Sequence, residues 1–499
     1  MGSDAPFHDP SHRPCPGVAR RGRLSQGVSP MSQAFTMTIN GAAVGSTESL
    51  SVIDPATGRP FAECPDCSEA QLDQAVQAAK AALGAWRADE AARREALGKC
   101  ADAIEAKAQA IAPILTQEQG KPLGRAVEEL YGAALWFRST AALPLEDQLL
   151  REDDQFRVEL RRRPLGVVAG ITPWNFPILL AVWKIAPALL AGNTFILKPS
   201  PYTPLSSLAL GEALREALPP GVFNVVSGGD QLGRWLTAHP DVRKISFTGS
   251  VATGKHIAAA AAPDLKRVTL ELGGNDPAIV LADNDPAKIA EKLFWGAFAN
   301  SGQVCVAVKR LYVEEPLFPA VVEALGAIAE RVKVGPGSAA DSELGPLNNR
   351  AQFDRVSELV DDARSHGAKV VAGGRPLANE GYFYAPTILT GVEEGVRLVD
   401  EEQFGPALPV MPFKSVDEVL GRANGTHFGL GGSIWTEDLD RGAALARDLD
   451  CGTAWVNQHM NLAPDVPFGG SKWSGIGYEN GTWGLAAFTE YQVINVAKQ

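Results

Sequence analysis

The sequence predicts an α/β protein with two large domains, of which the first is built on a doubly wound parallel sheet. Short, mostly apolar runs such as 166–171 and 194–198 alternate with helical segments. Apolar strands of this kind are typical of parallel sheets whose two faces are covered by helices. At 499 residues the chain is also too long for one hydrophobic core. A second set of strands and helices, from about 274 to 475, indicates the second domain.

Composition places the chain among soluble globular proteins and argues against nucleic-acid or membrane partners. Hydrophobic residues make up 45% of the chain, and the formal net charge is −12. An acidic chain lacks the basic surface that binds nucleic acid, and a run of about 18 apolar residues is absent from the sequence. Six cysteines in so long a chain do not make a disulfide framework, so we expect a reducing compartment, the cytoplasm. Cys64 and Cys67 form a lone CxxC, where we expect no metal.

Residues 1–35 differ from the rest of the chain in composition. They contain five prolines, scattered arginines and no periodic apolar pattern, which predicts a disordered extension. The segment lacks the apolar central run of a secretory signal. Its prolines and aspartates also argue against an organelle transit peptide.

The remaining elements follow in order along the chain. Strand-like runs between 38 and 61 surround a turn signal at 54–58. Residues 68–143 have the spacing of long amphipathic helices, with Ser68 as the first N-cap. Alternation and charge between 149 and 163 predict an exposed hairpin. The run 491–496 is strand-like, and a terminal strand is often used for pairing between subunits.

The turns after the predicted strands indicate a ligand site. Doubly wound sheets bind ligands at the carboxyl ends of their strands. Here those ends are followed by segments rich in asparagine, lysine, serine, threonine and glycine: 173–175, 198–200, 227–229 and 248–250. These residue types suit a phosphorylated, sugar-bearing cofactor.

The segment 298–310, which reads FANSGQVCVAVKR, holds the candidate nucleophile. Cys305 follows a Ser-Gly-Gln turn and lies between two valines. A cysteine on such a turn can present its sulfur to a pocket, and the thiolate is a strong nucleophile. A small buried hydrophobic residue is the alternative, which this segment favours when it is taken alone.

Seven motifs in a fixed order decide between these interpretations: PWNFP at 173–177, KPS at 198–200, FTGS at 247–250, LELGG at 270–274, GQVC at 302–305, EQFGP at 402–406 and PFGG at 467–470. From about Thr38 to the C-terminus the chain thereby resembles the aldehyde dehydrogenase superfamily, in its hydrolytic, NAD(P)-dependent form. The resemblance implies a Rossmann-type cofactor domain (36–144 and 164–273), an α/β catalytic domain (274–478) and a small β oligomerisation element (145–163 and 484–499). It also implies a homodimer or homotetramer.

The resemblance assigns catalytic roles to three residues. Cys305 would attack the aldehyde carbonyl, and its backbone N–H and the Asn175 side chain would stabilise the oxyanion. Glu271 would activate the water that hydrolyses the thioester, which favours a free carboxylic acid as product. Outside this context Asn175 could be a turn former and Glu271 a strand cap.

NAD is the cofactor that the resemblance implies. Lys198 would bind the adenosine ribose, Ser250 the pyrophosphate, and Glu402 the nicotinamide ribose. Pro201 stands where many NAD-preferring members carry a glutamate, so NADP use stays open. The expected cofactor residues are Thr172, Pro173, Trp174, Lys198, Ser200, Gly229, Phe247, Gly249, Ser250, Leu272, Gln352, Glu402 and Phe404.

The implied substrate is an uncharged aliphatic or aromatic aldehyde. Positions that match the family's tunnel are mostly apolar or aromatic and include no arginine pair for a substrate carboxylate. They are Phe176, Trp183, Trp295, Val304, Val306, His459, Met460, Leu462 and Phe468. Of these, His459 and Met460 are the departures expected to shape specificity. The alternatives are an acid-semialdehyde dehydrogenase and a non-catalytic binding or structural protein of the same fold.

Overall fold

A computed structural model of the chain describes residues 34–377 and 380–498. The predicted disorder of residues 1–35 lies outside the described residues except at its last two positions, and Phe35 is already buried in the core. Among the described helices, none is long and apolar enough to cross a membrane.

The first half of the chain forms most of one large sheet and its covering helices. In order, its elements are β1 (Met37–Ile39), β2 (Ala42–Val44), β3 (Ser49–Asp54), β4 (Arg59–Pro65), α1 (Glu69–Trp86), α2 (Glu90–Gln119), α3 (Leu123–Ala141), β5 (Gln148–Glu152), β6 (Phe156–Pro164), β7 (Val167–Ile171), α4 (Leu179–Leu190), β8 (Thr194–Lys198), α5 (Leu205–Leu214), β9 (Phe223–Val225), α6 (Asp230–Ala238), β10 (Val242–Thr248), α7 (Val251–Ala261) and β11 (Arg267–Glu271).

The second half forms another sheet and returns to the first. Its elements are β12 (Asp276–Val280), α8 (Pro286–Phe298), β13 (Val308–Glu314), α9 (Phe318–Arg331), α10 (Arg350–Ser365), β14 (Lys369–Ala372), β15 (Thr387–Thr390), α11 (Arg397–Asp400), β16 (Ala407–Phe413), α12 (Val416–Asn424), β17 (Phe428–Gly429), β18 (Gly431–Trp435), α13 (Leu439–Ala446), β19 (Thr453–Val456), β20 (Ser471–Lys472), β21 (Gly475–Ile476), α14 (Gly481–Ala486) and β22 (Thr489–Ala497).

The first sheet has eight strands in the order β2-β1-β9-β8-β7-β10-β11-β21. Its five central strands are parallel, and every residue of β7 and β8 is buried. The predicted doubly wound parallel sheet is therefore confirmed. The edges are antiparallel: β1 pairs with β9 on one side, and β21 pairs with β11 on the other. Through β21 the C-terminal half of the chain reaches the end of β11.

The second sheet has seven strands in the order β14-β15-β16-β13-β12-β18-β19, all parallel to their neighbours except β14. Alternate residues of β12 enter different hydrophobic clusters. Ala278 and Val280 pack on one face of the sheet, and Ile279 packs on the other. Both faces of this sheet are therefore covered.

Local signals in the sequence explain where the first helices begin and end. Ser68 caps α1 as predicted, because its side chain accepts a hydrogen bond from the Gln71 N–H in a capping box. Gly120 ends α2 with φ +100, and a β-carbon there would lie 2.9 Å from Pro346 Cγ. Glycine is the residue that adopts this left-handed geometry without strain. Lys121 follows directly, in the short connection between α2 and α3.

A separate three-stranded antiparallel sheet has the order β22-β6-β5. The hairpin predicted around 149–163 is present, and β22 pairs with β6 from Thr489 to Ala497. Leu149, Leu150 and Tyr491 on this sheet are more than half exposed.

Candidate active site

The loop that carries Cys305 follows α8 through a short 3₁₀ turn, Ala299–Gly302. Asn300, Ser301 and Gly302 all have positive φ values, of 52°, 57° and 72°. A β-carbon at Gly302 would lie 2.3 Å from the Gly405 carbonyl oxygen, so glycine is required there. This tight turn leaves Cys305 partly exposed and free of any disulfide, with its carbonyl accepting a hydrogen bond from Lys309 Nζ at 2.5 Å.

The Cys305 thiol is a weak acid in this setting. Burial raises its pKa to about 12, and the positive charge of Lys309 opposes the shift only in part. A thiol of this kind is mostly protonated at neutral pH, and the thiolate is the reactive form. Reaction at Cys305 therefore needs a nearby proton acceptor.

The Asn175 side chain lies against the cysteine loop from the opposite sheet. Asn175 follows β7, is 2% exposed, and donates from Nδ2 to the Gln303 carbonyl at 3.0 Å. Gln303 precedes Cys305 by two residues. A side-chain amide carries two N–H donors, and the Gln303 carbonyl uses one of them.

Glu271 ends β11 in a dry environment. It is 2% exposed, and neither carboxyl oxygen has a hydrogen-bond partner among the described residues. Burial raises the pKa of Glu271 well above its usual range, the charge of Glu479 raises it further, and Lys184 lowers it. A carboxylate with a raised pKa is a stronger base.

Behind Glu271 lies a buried ion pair between Lys184 of α4 and Glu479. Lys184 Nζ donates to Glu479 Oε1 and, at 2.7 Å, to the Thr248 hydroxyl. The two charged side chains are at most 1% exposed. This pair joins the chain after β21 to the first sheet, and it places both charges where they act on Glu271.

The expected cofactor residues lie along the carboxyl edge of the first sheet. Lys198 ends β8 and is 4% exposed; burial lowers its pKa to about 8, and the charge of Asp230 opposes this shift. The Ser250 hydroxyl caps α7 by accepting from the Thr253 N–H at 3.3 Å. The other expected cofactor residues at this edge are Thr172, Pro173, Trp174, Ser200, Gly229, Phe247, Gly249 and Leu272.

Two features of this edge fit a nicotinamide dinucleotide. The buried Thr172 hydroxyl has no partner among the described residues, so it is available to a ligand. A β-carbon at Gly249 would lie 2.4 Å from the Phe247 ring, so any side chain there would displace that ring. Beyond these two features, Trp174 meets the Phe404 ring edge-on at 5.3 Å.

Glu402 connects this edge to the cysteine loop. Its Oε1 accepts from the Gly274 N–H at 3.1 Å and lies 3.4 Å from Lys309 Nζ. The Gln352 side-chain amide donates to the carbonyls of Gln403 and Phe404 at 2.7 and 2.9 Å. Gln352 therefore holds the segment that carries Glu402 and Phe404.

A cavity of about 560 Å³ opens beside the cysteine loop. Four of the expected substrate residues line it, namely Phe176, Trp295, His459 and Met460. The other five expected residues do not line it: Trp183, Val304, Val306 and Phe468 are buried in the core, and Leu462 packs against that core. Trp183 stacks on Trp136 at 5.6 Å and meets Phe468 edge-on at 5.7 Å.

Comparison with known proteins assigns the family. The model of the aldehyde dehydrogenase family matches residues 43–494. The chain belongs to the aldehyde dehydrogenase family. It is 40% identical to a phenylacetaldehyde dehydrogenase of Pseudomonas fluorescens over 469 residues, which cover 91% of this chain and 93% of that protein. It is 39% identical to human retinaldehyde dehydrogenase 3, over 90% of each chain.

A solved structure of an aldehyde dehydrogenase from Bacillus cereus in complex with NAD⁺ superposes with a TM-score of 0.92. The two chains are 36% identical, and the alignment covers 94% of this chain and 97% of the other. As a member of this family, the protein is an oxidoreductase that uses a nicotinamide cofactor.

In this aldehyde dehydrogenase the cavity wall carries charges that sequence reasoning missed. Besides the aromatic residues, the wall contains Lys121, Arg125, Glu128, Glu129, Lys292 and Glu343. Helix spacing gave no signal for the four on α3 and α8, since charged residues there look like ordinary solvated faces, and Lys121 and Glu343 lie outside the helices. Lys184 did offer a signal, because a lysine within the apolar helix α4 requires a buried partner.

The imidazole of His459 is turned away from the cavity. It is fully buried, with Nδ1 3.0 Å from the Ser433 hydroxyl and Nε2 2.9 Å from the Val306 carbonyl oxygen. Burial lowers the pKa of His459 to about 3, so the ring is neutral. His459 presents no ionised group to a substrate, whereas Met460, with φ +60, lies directly at the wall.

Proposed function

We propose that the protein oxidises an uncharged aliphatic or aromatic aldehyde to the carboxylic acid. One observation carries the proposal: the Asn175 amide lies beside the loop of Cys305, 3.0 Å from the Gln303 carbonyl. An amide donor and a backbone N–H next to one sulfur form a site for a developing oxyanion.

The first step is attack of Cys305 Sγ on the aldehyde carbon. The C–S bond forms as the carbonyl π bond breaks, and the oxygen receives hydrogen bonds from Asn175 Nδ2 and the Cys305 N–H. Because the thiol pKa is near 12, its proton has to pass to a base, and Glu271 is the dry carboxylate available. When bound, NAD(P)⁺ accepts the hydride from the tetrahedral carbon, which leaves a thioester on Cys305.

Glu271 first releases the thiol proton to solvent, and its carboxylate then takes a proton from water as the water attacks the thioester carbon. The carbon–sulfur bond breaks, the thiolate leaves, and the acid is released. The unpartnered oxygens of Glu271 support this role, since no hydrogen bond among the described residues has to be broken first. A free acid is therefore the proposed product, rather than an acyl group passed to another carrier.

We propose NAD as the preferred cofactor. Lys198 is the buried cation at the expected adenosine ribose site, and the charge of Asp230 acts on it. That acidic neighbour disfavours a 2′-phosphate. Pro201 itself supplies neither an acceptor for the ribose nor a charge against the phosphate.

An uncharged substrate fits the balance of charge in the cavity. The wall holds three cationic and three anionic side chains. Lys121, which lies over the Phe176 ring, already forms a salt bridge with Glu129. The phenylacetaldehyde and retinaldehyde dehydrogenases among its relatives are named for uncharged, apolar aldehydes. Arg125 is paired with Glu128 at 2.7 Å, so Lys292 is the cation that favours a second candidate, an aldehyde that carries a carboxylate.

Reduced-cofactor formation distinguishes the two candidates. Purified protein would be assayed with NAD and NADP on phenylacetaldehyde, hexanal and succinic semialdehyde, beside Cys305→Ala. We expect kcat/KM at least tenfold higher for the uncharged aldehydes than for the semialdehyde, and loss of turnover in Cys305→Ala. Preference for the semialdehyde would support the second candidate. A signal that survives Cys305→Ala would refute the mechanism.

We further propose that the three-stranded sheet joins copies of the chain into a dimer or tetramer. Its Leu149, Leu150, Tyr491 and Val493 are all more than half exposed, and exposed large apolar side chains are the kind that oligomers bury. Sedimentation of the wild type and of Leu150→Asp/Val493→Asp tests this, since the double variant is expected to dissociate.

A further inference from the structure

A buried ion pair between Lys121 and Glu129 lies in the cavity wall. Gly120 ends α2, Lys121 follows directly, and Glu129 belongs to α3. Lys121 Nζ lies 2.5 Å from Glu129 Oε2, and the side chains are 2% and 1% exposed. The proposed chemical steps give neither residue a role.

The ion pair holds the segment that carries Asn175. Lys121 Nζ donates to the Asn175 carbonyl at 2.9 Å and lies 4.0 Å from the centre of the Phe176 ring. Glu129 Oε1 accepts from the N–H groups of Ile178 and Leu179, at 2.9 and 3.1 Å. Glu129 thus caps the start of α4 from a different helix.

These contacts fix which way Asn175 faces. Its carbonyl points to Lys121, while its side-chain amide points to the Gln303 carbonyl in the cysteine loop. A second donor, Asn300 Nδ2, reaches the Asn175 carbonyl only at 3.3 Å. Without Lys121 the Asn175 backbone would lose its shorter hydrogen bond, and only the contacts of the side chain with the Gln303 carbonyl and the Phe176 N–H would then hold its direction.

Stability alone does not account for such a pair. Two charges removed from water cost several kcal/mol in desolvation, and well-packed apolar side chains of similar volume are often as stable. Within the described residues, the side chains of this ion pair form hydrogen bonds only with each other and with residues 175–179. The pair therefore holds that segment in one conformation. Preorganised donors are effective because they need no rearrangement during the reaction.

We propose that Lys121 and Glu129 are positioning residues, which hold Asn175 in the orientation that donates to the substrate oxyanion. The inference rests on the proposed role of Asn175. Neither side chain touches the reacting atoms; they act through the backbone of residues 175–179.

A double-mutant cycle between Lys121 and Asn175 tests the inference. The variants are Lys121→Met, Asn175→Ala and their combination, assayed for kcat and KM with phenylacetaldehyde and NAD. Removing one oxyanion donor lowers kcat about 10²- to 10³-fold. We therefore expect Lys121→Met to lower kcat about tenfold or more in the wild type, with a smaller change in KM. In the Asn175→Ala background the same substitution should change kcat less than about threefold.

The outcomes separate the two hypotheses. If Asn175→Ala has wild-type kcat, the proposed oxyanion role of Asn175 fails. If Asn175→Ala is impaired but Lys121→Met lowers kcat equally in both backgrounds, only the positioning role fails. An unchanged kcat in Lys121→Met overturns it as well.

Two further variants control for folding and for charge. Lys121→Met/Glu129→Gln removes both charges, and the introduced glutamine can still accept from the two N–H groups at the start of α4. We expect this variant to fold as the wild type and to keep the loss in kcat. Recovery of kcat would show that the unpaired charge, and not the missing hydrogen bond to Asn175, caused the loss. Lys107→Met, an exposed substitution on α2, is the matched control and should leave kcat unchanged.

Discussion

Lys184 donates a hydrogen bond to Glu479 inside the protein, although 295 residues separate them in the chain. The pair connects α4 to the segment after β21, and both side chains are excluded from water. Its charges act in opposite directions on the pKa of Glu271: Glu479 raises it and Lys184 lowers it. Through this pair, the second half of the chain acts on the pKa of Glu271, the proposed base at the end of β11.

Replacing Lys184 with methionine should destabilise the protein by about 3–5 kcal/mol, because it leaves the Glu479 charge buried without a partner. The variant should also move the acid limb of the kcat profile to higher pH, since the cation that lowers the Glu271 pKa is gone. Urea unfolding and a pH–rate profile measure the two effects.

Lys184→Met/Glu479→Gln is the matched control for that prediction. With both charges removed, we expect most of the lost stability to return. A double variant as unstable as Lys184→Met would mean that packing of the lysine chain, and not its charge, holds α4.

Glu271→Gln removes the proposed base but keeps a side chain of similar size at this buried position. Substitution of a general base lowers the rate about 10²- to 10⁴-fold, and we expect the loss in hydrolysis of the thioester. Because Glu271 is also the proposed acceptor of the thiol proton, rapid mixing should show one slowly formed equivalent of reduced cofactor followed by little turnover. Wild-type steady-state kcat in Glu271→Gln would contradict the role.

The same substitution should stabilise the fold at neutral and higher pH. The pKa of Glu271 is raised in the folded state, so its protonated form is the stable one there. Its unfavourable contribution is therefore small below the unfolded pKa and grows as the pH rises towards the folded pKa. Glutamine cannot ionise, and its gain over the wild type should increase with pH. Thermal unfolding at pH 5 and pH 8 measures the difference, and a gain that is equal at both values would speak against a raised pKa.

The central parallel strands of the first sheet are predictable from the sequence, whereas its edge beside the site is not. Apolar runs such as Val167–Ile171 predict a central parallel strand because every position needs burial. The two-residue strand Gly475–Ile476 has no such pattern, and only its pairing with Leu270 and Glu271 defines it. Short edge strands depend on tertiary contacts that a local window does not contain.

The sequence motifs predict the three residues Cys305, Glu271 and Asn175, but they do not predict the residues that hold these three in place. Lys121 precedes Asn175 by 54 residues, and its contact depends on the turn at Gly120 and on the packing of α3. His459 likewise looks like a polar residue of the pocket, yet Ser433 and the Val306 carbonyl satisfy its ring inside the protein. Sequence patterns do not reveal hydrogen bonds between residues that lie far apart in the chain.

Alkylation of Cys305 should remain slow at neutral pH and accelerate steeply in alkali. With a thiol pKa near 12, the thiolate fraction rises about tenfold per pH unit up to that value. Iodoacetamide labelling between pH 7 and pH 10, corrected with Cys305→Ala, measures the rate. A plateau below pH 9 would contradict this pKa. It would show that an interaction other than burial and the charge of Lys309 lowers the pKa of the thiol.

Asp230→Asn should increase the use of NADP. The charge of Asp230 acts on Lys198 at the expected adenosine ribose site, so its removal leaves the Lys198 cation more available to a 2′-phosphate. One Coulombic interaction near a protein surface is worth on the order of 1–2 kcal/mol, which corresponds to about five- to thirtyfold in affinity. We therefore expect the NADP to NAD ratio of kcat/KM to rise within this range, mainly through a lower KM for NADP. Asp154→Asn, which removes an exposed charge from the turn between β5 and β6, is the matched control and should leave the ratio unchanged. An equal ratio in Asp230→Asn and the wild type would place the phosphate discrimination elsewhere, and Pro201→Glu would then be the informative next variant, because it supplies an acidic side chain three residues after Lys198.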